Sequence, residues 1–200
     1  MKLFCPTRRP KQLCYSRLIA APLILLLLSF AGAGVIHAQN DFKVTTVFLV
    51  RHAEKAAAPA PDPPLVEAGN VRSQELARML VKAGIKAIYT SQYLRTKQTA
   101  EPLAKQLGIT SDVVEVRMSA SNPREISRQS YEDVAKKVYE HEGEAALIVG
   151  HSNTLPEMIK ALGGDVAPTI DEKDYDDLFI VTIYAKGKAK VTQLKYGKQP

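Results

Sequence analysis

From Thr45 onward, short apolar runs alternate with longer stretches whose apolar residues recur at helical spacing. TTVFLV (45–50) is β-rich and short enough to be a buried strand. NVRSQELARMLVKAG (70–84) follows, with Val71, Leu76, Leu80 and Val81 near helical spacing and Gly84 as its stop. IKAIYT (85–90) is a second strand. SQYLRTKQTAEPLAKQLG (91–108) is a second helix, with Ser91 as candidate N-cap and Gly108 at its end. DVVEV (112–116) predicts a third strand, and the segment 122–143 a third helix. EAALIVG (144–150) predicts a fourth strand, and NTLPEMIKALGG (153–164) a short helix with Pro156 in its first turn. The tail from Leu178 to Tyr196 reads as two strands around a turn at Gly187. Strand alternating with helix predicts an α/β fold of three layers: a mainly parallel sheet, helices on both faces, and an antiparallel edge from the last pair.

Charge changes the picture only once it is located. The chain carries a formal net charge of +6, but Lys2, Arg8, Arg9, Lys11 and Arg17 all lie in residues 1–38, which contain no acid. The remainder is close to neutral, so nothing favours a nucleic-acid partner. A basic start, the apolar run LIAAPLILLLLSFAGAGVI and the small-residue exit IHA read as an export signal cleaved after Ala38, with cleavage after Ala33 as a second option. The run is long enough to anchor the chain in a membrane if it is retained. Residues 39–200 would then form one exported domain, periplasmic or secreted. Both cysteines, Cys5 and Cys14, lie in the leader. The mature chain could use no thiol nucleophile, disulfide or cysteine metal site.

Candidate chemistry gathers where the strands end. In an open α/β sheet, ligands bind beyond the carboxyl ends of the strands. Arg51 and His52 end the first strand, Arg95 lies at the start of the helix after the second, and His151 ends the fourth. Each alone reads as a polar strand exit, a helix-surface residue or a turn. Together on one rim they describe an anion site containing a nucleophile. A neutral imidazole attacks phosphorus in line, and a phosphohistidine splits one hard hydrolysis into two easier steps. Arginine forks match the transferring oxygens and neutralise charge where it builds. Neighbouring guanidinium groups also favour the neutral ring.

These residues sit in FLVRHAEK, PLVEAGNVRSQELARML, YTSQYLRTKQTAEPLA and LIVGHSNTLP, whose order and spacing resemble the histidine phosphatase superfamily, the phosphoglycerate mutase-like fold. The resemblance spans roughly residues 44–162. It implies His52 as the phosphorylated nucleophile, Arg51, Arg95 and His151 as the rest of the phosphate pocket, with Asn153 among the substrate-binding residues, and a mechanism without metal or cofactor. Three departures qualify it. Val66 stands where the family often has threonine. The segment after the third strand is short and offers only Glu115 and Glu125 as leaving-group acids, neither in a convincing motif. His151 is followed by Ser152 and Asn153, which excludes the branch with a His-Asp pair. The expected activity is hydrolysis of a small phosphorylated substrate. A non-catalytic phosphoryl-ligand binding module and a phosphohistidine phosphatase are the alternatives, and export argues against the latter. A mutase is disfavoured, because its substrate-binding inserts are missing.

Other features read as structural. DEKDYDD (171–177) is expected to be a solvated turn without calcium-loop spacing. His141 is expected at an exposed helix end, and Tyr89, Tyr93 and Tyr131 in packing. AAAPAPDPP (56–64) is a surface excursion that either carries no function or borders the pocket, since it follows His52 so closely.

Overall fold

A computed structural model describes residues 43–198, so the expected export signal at 1–38 lies outside the described residues. Six strands form one sheet: β1 (Thr45–Arg51), β2 (Ile85–Thr90), β3 (Asp112–Val113), β4 (Ala145–Gly150), β5 (Asp177–Ala185) and β6 (Lys188–Lys195). They lie in the order β3-β2-β4-β1-β5-β6. The first four run parallel, and β5 and β6 add an antiparallel extension beside β1. Four helices connect them: α1 (Glu67–Leu80), α2 (Leu94–Leu107), α3 (Arg128–Tyr139) and α4 (Leu155–Ala161). Among the described residues, no helix is long and apolar enough to cross a membrane.

Alternation along the strands sorts two cores. Val47 and Leu49 of β1, with Ala146 and Ile148 of β4, pack against Val134 and Val138 of α3 and Met158 and Ile159 of α4. Val50, Leu147 and Val149 point the other way, onto Leu76 and Leu80 of α1 and Leu103 of α2. A period of two places successive side chains on opposite faces, so apolar runs buried on both sides are what a helix-covered parallel sheet requires. The three-layer α/β fold is therefore present.

Several boundaries differ from those the pattern predicts, each for a local reason. Helix α1 turns Arg72, Ser73, Leu76 and Ala77 inward and leaves Val71 exposed, because Arg72 has a buried partner in Glu54. Its Gly69 is required by close approach, since a Cβ there would collide with the Glu54 carbonyl oxygen. Only two residues of β3 pair, and the Gln92 side-chain amide takes over both backbone groups of Val116, at 3.0 Å each. Helix α3 starts at Arg128 rather than near 122, because the preceding residues fold back on themselves through the Met118–Ile126 bridge. That folded-back segment forms one wall of the site.

Candidate active site

Strand register creates the site. Arg51 of β1 pairs with Gly150 of β4, so His52 and His151 leave adjacent parallel strands side by side, and the His52 N–H donates to the Gly150 carbonyl at 2.9 Å. The imidazole centroids are 5.3 Å apart in an edge-on arrangement. Thr90 of β2 pairs with Val149, which brings Ser91 to the other flank of His151. Arg95 arrives from the first turn of α2.

The rings are fixed. His52 Nδ1 lies 2.8 Å from the Ala53 carbonyl, an acceptor only, so Nδ1 carries the hydrogen and the lone pair is on Nε2. The Ala53 N–H donates to Thr99 Oγ1 at 2.9 Å, and Thr99 donates in turn to the Arg95 carbonyl at 2.7 Å. The RTKQTA motif thus ties the loop after His52 to the helix bearing Arg95. Ser91 Oγ lies 3.0 Å from His151 Nε2 and 2.9 Å from Thr96 Oγ1. Thr96 Oγ1 in turn donates to the Tyr93 carbonyl at 2.8 Å, so the Ser91–Thr96 pair holds the His151 ring against the first turn of α2. Thr154 Oγ1 closes the turn after His151, accepting from its N–H at 2.9 Å.

Each arginine stacks on a tyrosine that faces one of the histidines. The Arg51 guanidinium lies 4.2 Å from the Tyr175 ring centroid, and that ring is 6.1 Å from His52. Arg95 lies 4.4 Å from the Tyr93 centroid, and Tyr93 is 5.3 Å from His151. Arg51 is held further by the carbonyls of Asp171 and Asp174, at 2.9 and 3.3 Å from Nη1. Asp62 accepts from the Leu94 N–H at 2.9 and 3.0 Å and pairs with Arg95 at 3.5 Å. The Nε–H groups of both arginines are buried without a partner among the described residues.

Burial first, and the charges of Arg51 and Arg95 after it, push the His52 pKa down to about 4. Burial, helped by His52 and the same arginines, pushes His151 down to about 3. Both rings are thus neutral at physiological pH. Their folded values lie below the unfolded value near 6.5, so as pH falls the unfolded chain takes up protons first. Stability from this source is complete above about pH 6.5 and is lost as pH falls from there toward about 4. In an NMR titration the ring signals of His52 and His151 are expected to stay unshifted at pH 5, and urea denaturation to show lower stability at pH 5 than at 7. A midpoint near 6.5 for either ring would contradict this.

Every residue expected at the site is there. Arg51, His52, Arg95, His151 and Asn153 line one cleft of about 380 Å³. Arg124, Ile126 and Asn153 also line a wider groove of about 860 Å³, which leaves room beyond the phosphate pocket for the rest of a substrate. Other expectations are corrected. Ser91 does not cap α2; Asp62 from the alanine–proline excursion accepts from the Leu94 N–H and pairs with Arg95, although no residue of 56–64 lines the cleft. DEKDYDD is a solvated turn over 171–173, as expected, but its second half is not: Asp176 and Asp177 are buried against Lys195 Nζ at 2.8 and 2.9 Å. Tyr93 belongs to the site, whereas Tyr89 packs and donates to the Lys137 carbonyl at 3.1 Å. Glu115 lines neither space, whereas Glu125, which accepts from Asn122 at 2.7 Å, lines the wider groove but not the cleft with His52.

The site is a buried pair of histidines framed by two arginines at the carboxyl end of a mainly parallel sheet in an α/β fold. Residues 47–121, which include Arg51, His52 and Arg95, match the histidine phosphatase superfamily (branch 1). No curated protein matches the chain. Among solved structures, phosphoglycerate mutase from Bacillus anthracis is similar at 17% identity and a TM-score of 0.61, over 77% of this chain and 94% of that one. The mycobacterial glucosyl-3-phosphoglycerate phosphatase is similar at 12% identity and a TM-score of 0.59, over 77% and 99%. The protein histidine phosphatase SixA complexed with tungstate is similar at 21% identity and a TM-score of 0.57, over 75% and 96%. At such identities the structural likeness is one of fold. The superfamily expected from the motifs is the one matched over residues 47–121, and the fold is the phosphoglycerate mutase-like one expected.

Proposed function

We propose that the protein is an exported, metal-independent phosphate monoester hydrolase that works through a phosphohistidine on His52. The observation that carries this reading is the conjunction at His52: Nδ1 tied to a carbonyl and Nε2 left basic, in a cleft that Arg51, Arg95 and His151 also line. His52 Nε2 attacks phosphorus while Arg51, Arg95 and His151 hold the equatorial oxygens. Water then attacks the phosphohistidine and releases phosphate. The test is turnover of p-nitrophenyl phosphate with chelator present. Activity that survives chelation and is lost in His52→Ala supports the enzyme. Phosphate binding with no turnover and no labelled His52 would instead identify a binding module. The likeness to the protein histidine phosphatase SixA favours phosphohistidine as a second substrate class to assay.

Export rests on residues 1–38. The mature protein recovered from outside the cytoplasm is expected to begin at Gln39, as read by N-terminal sequencing. Recovery of the chain in the membrane fraction with residues 1–38 intact would make it an anchored enzyme instead.

A further inference from the structure

Attack by His52 in line with the scissile bond places the leaving oxygen on the far side of phosphorus, toward the mouth of the cleft. A proton donor for that oxygen has to stand at the mouth. One carboxylate lines the cleft among the described residues, that of Glu172. Its Oε2 lies 3.2 Å from Arg51 Nη2, and its Oε1 accepts from Ser152 Oγ at 3.4 Å. The backbone around it is anchored by Arg51 on the Asp171 and Asp174 carbonyls. The Glu172 side chain itself is 85% exposed, so it can exchange protons with solvent.

We propose that Glu172 is the general acid that protonates the leaving group, and the base that activates water in the second half-reaction. The proposal rests on the phosphohistidine reading above. In the first step the bond from His52 Nε2 to phosphorus forms and the ester P–O bond breaks. The electron pair stays on the leaving oxygen, which takes the proton of Glu172. In the second, water attacks phosphorus, its proton passes to the Glu172 carboxylate, and the P–N bond breaks to restore the lone pair on Nε2.

Leaving-group dependence is the readout, because a merely structural role would not produce it. p-Nitrophenolate departs without a proton, whereas the alkoxide of glycerol 2-phosphate needs one. In Glu172→Gln, kcat on glycerol 2-phosphate is expected to fall about 10²- to 10⁴-fold, the range for a lost general acid. The burst of p-nitrophenol that reports phosphorylation of His52 should change far less. A p-nitrophenol burst slowed as much as turnover of the alkyl ester would overturn the proposal, as would unchanged turnover of the alkyl ester. Tighter phosphate binding with alkyl-ester turnover retained would also overturn it, leaving Glu172 as a competitor for Arg51. A wild-type protein that turns over neither substrate and forms no phosphohistidine removes the phosphatase reading itself. The two failures are therefore distinct.

Discussion

Replacing His52 with alanine is expected to reduce turnover of p-nitrophenyl phosphate on the order of 10⁴-fold or more, the scale on which a covalent nucleophile is lost. The loss should appear in kcat, with inorganic phosphate still binding, because Arg51 and Arg95 are held by partners other than His52. Arg51 leans on Tyr175 and two loop carbonyls, and Arg95 on Tyr93 and Asp62. Acid-labile labelling by a phosphodonor should vanish with the activity. His151→Ala should cost less, about 10²- to 10³-fold, the range for removing one donor to a developing charge. Folding should survive the His52 substitution, and the variant should lose less stability on acidification than the parent. It no longer carries a buried ring whose charging favours the unfolded chain. A His52→Ala protein that keeps its labelling and turnover would overturn the mechanism.

How much of this was legible beforehand follows from the range of each interaction. Arg51, His52 and His151 could be placed from local pattern, because a buried strand has one carboxyl end and parallel strands bring those ends to one rim. Arg95 followed from its place just after β2. What could not be read was the second layer of partners. Tyr175 reaches Arg51 across more than a hundred residues, and its own neighbourhood reads only as an acidic, polar stretch. Glu172 is hidden for the same reason, since nothing local marks one acid among five. Ser91 was misread because a serine ahead of a helix is an ordinary cap. The Asp62 carboxylate reached Leu94 first, through an excursion whose composition reveals only that it is neither helix nor central strand. Local propensity says what a residue could do, and long-range packing selects which of those options it takes.

Arg72 shows that selection in a stability experiment. Glu54, two residues past His52, has no partner that the strand pattern reveals. In the fold it accepts from Arg72 through Nε at 2.9 and 3.1 Å and through Nη2 at 2.7 Å. The guanidinium also donates to the Tyr196 and Lys198 carbonyls at 3.0 and 2.8 Å, fastening the end of the chain to α1. The side chains are 5% and 17% exposed, so solvent cannot replace either partner fully. Arg72→Ala leaves a shielded carboxylate and two carbonyls without their donor. Its expected cost is about 3–5 kcal/mol, the range for breaking a buried pair from one side. For a domain of this size that lowers Tm by about 6–20 °C. Replacing both partners, as in Arg72→Met with Glu54→Met, should cost much less than Arg72→Ala, because no uncompensated charge remains. Thermal denaturation of the three proteins measures both differences. A single variant within about 1 kcal/mol of the parent would show that the pair is hydrated in solution. The coupling also reaches the site. The Val66 N–H donates to the Glu54 carbonyl at 3.0 Å, so the cluster that fixes the chain end also clamps α1 against the loop leaving His52. Loosening it should therefore lower kcat as well as stability, although Arg72 touches no residue of the phosphate pocket.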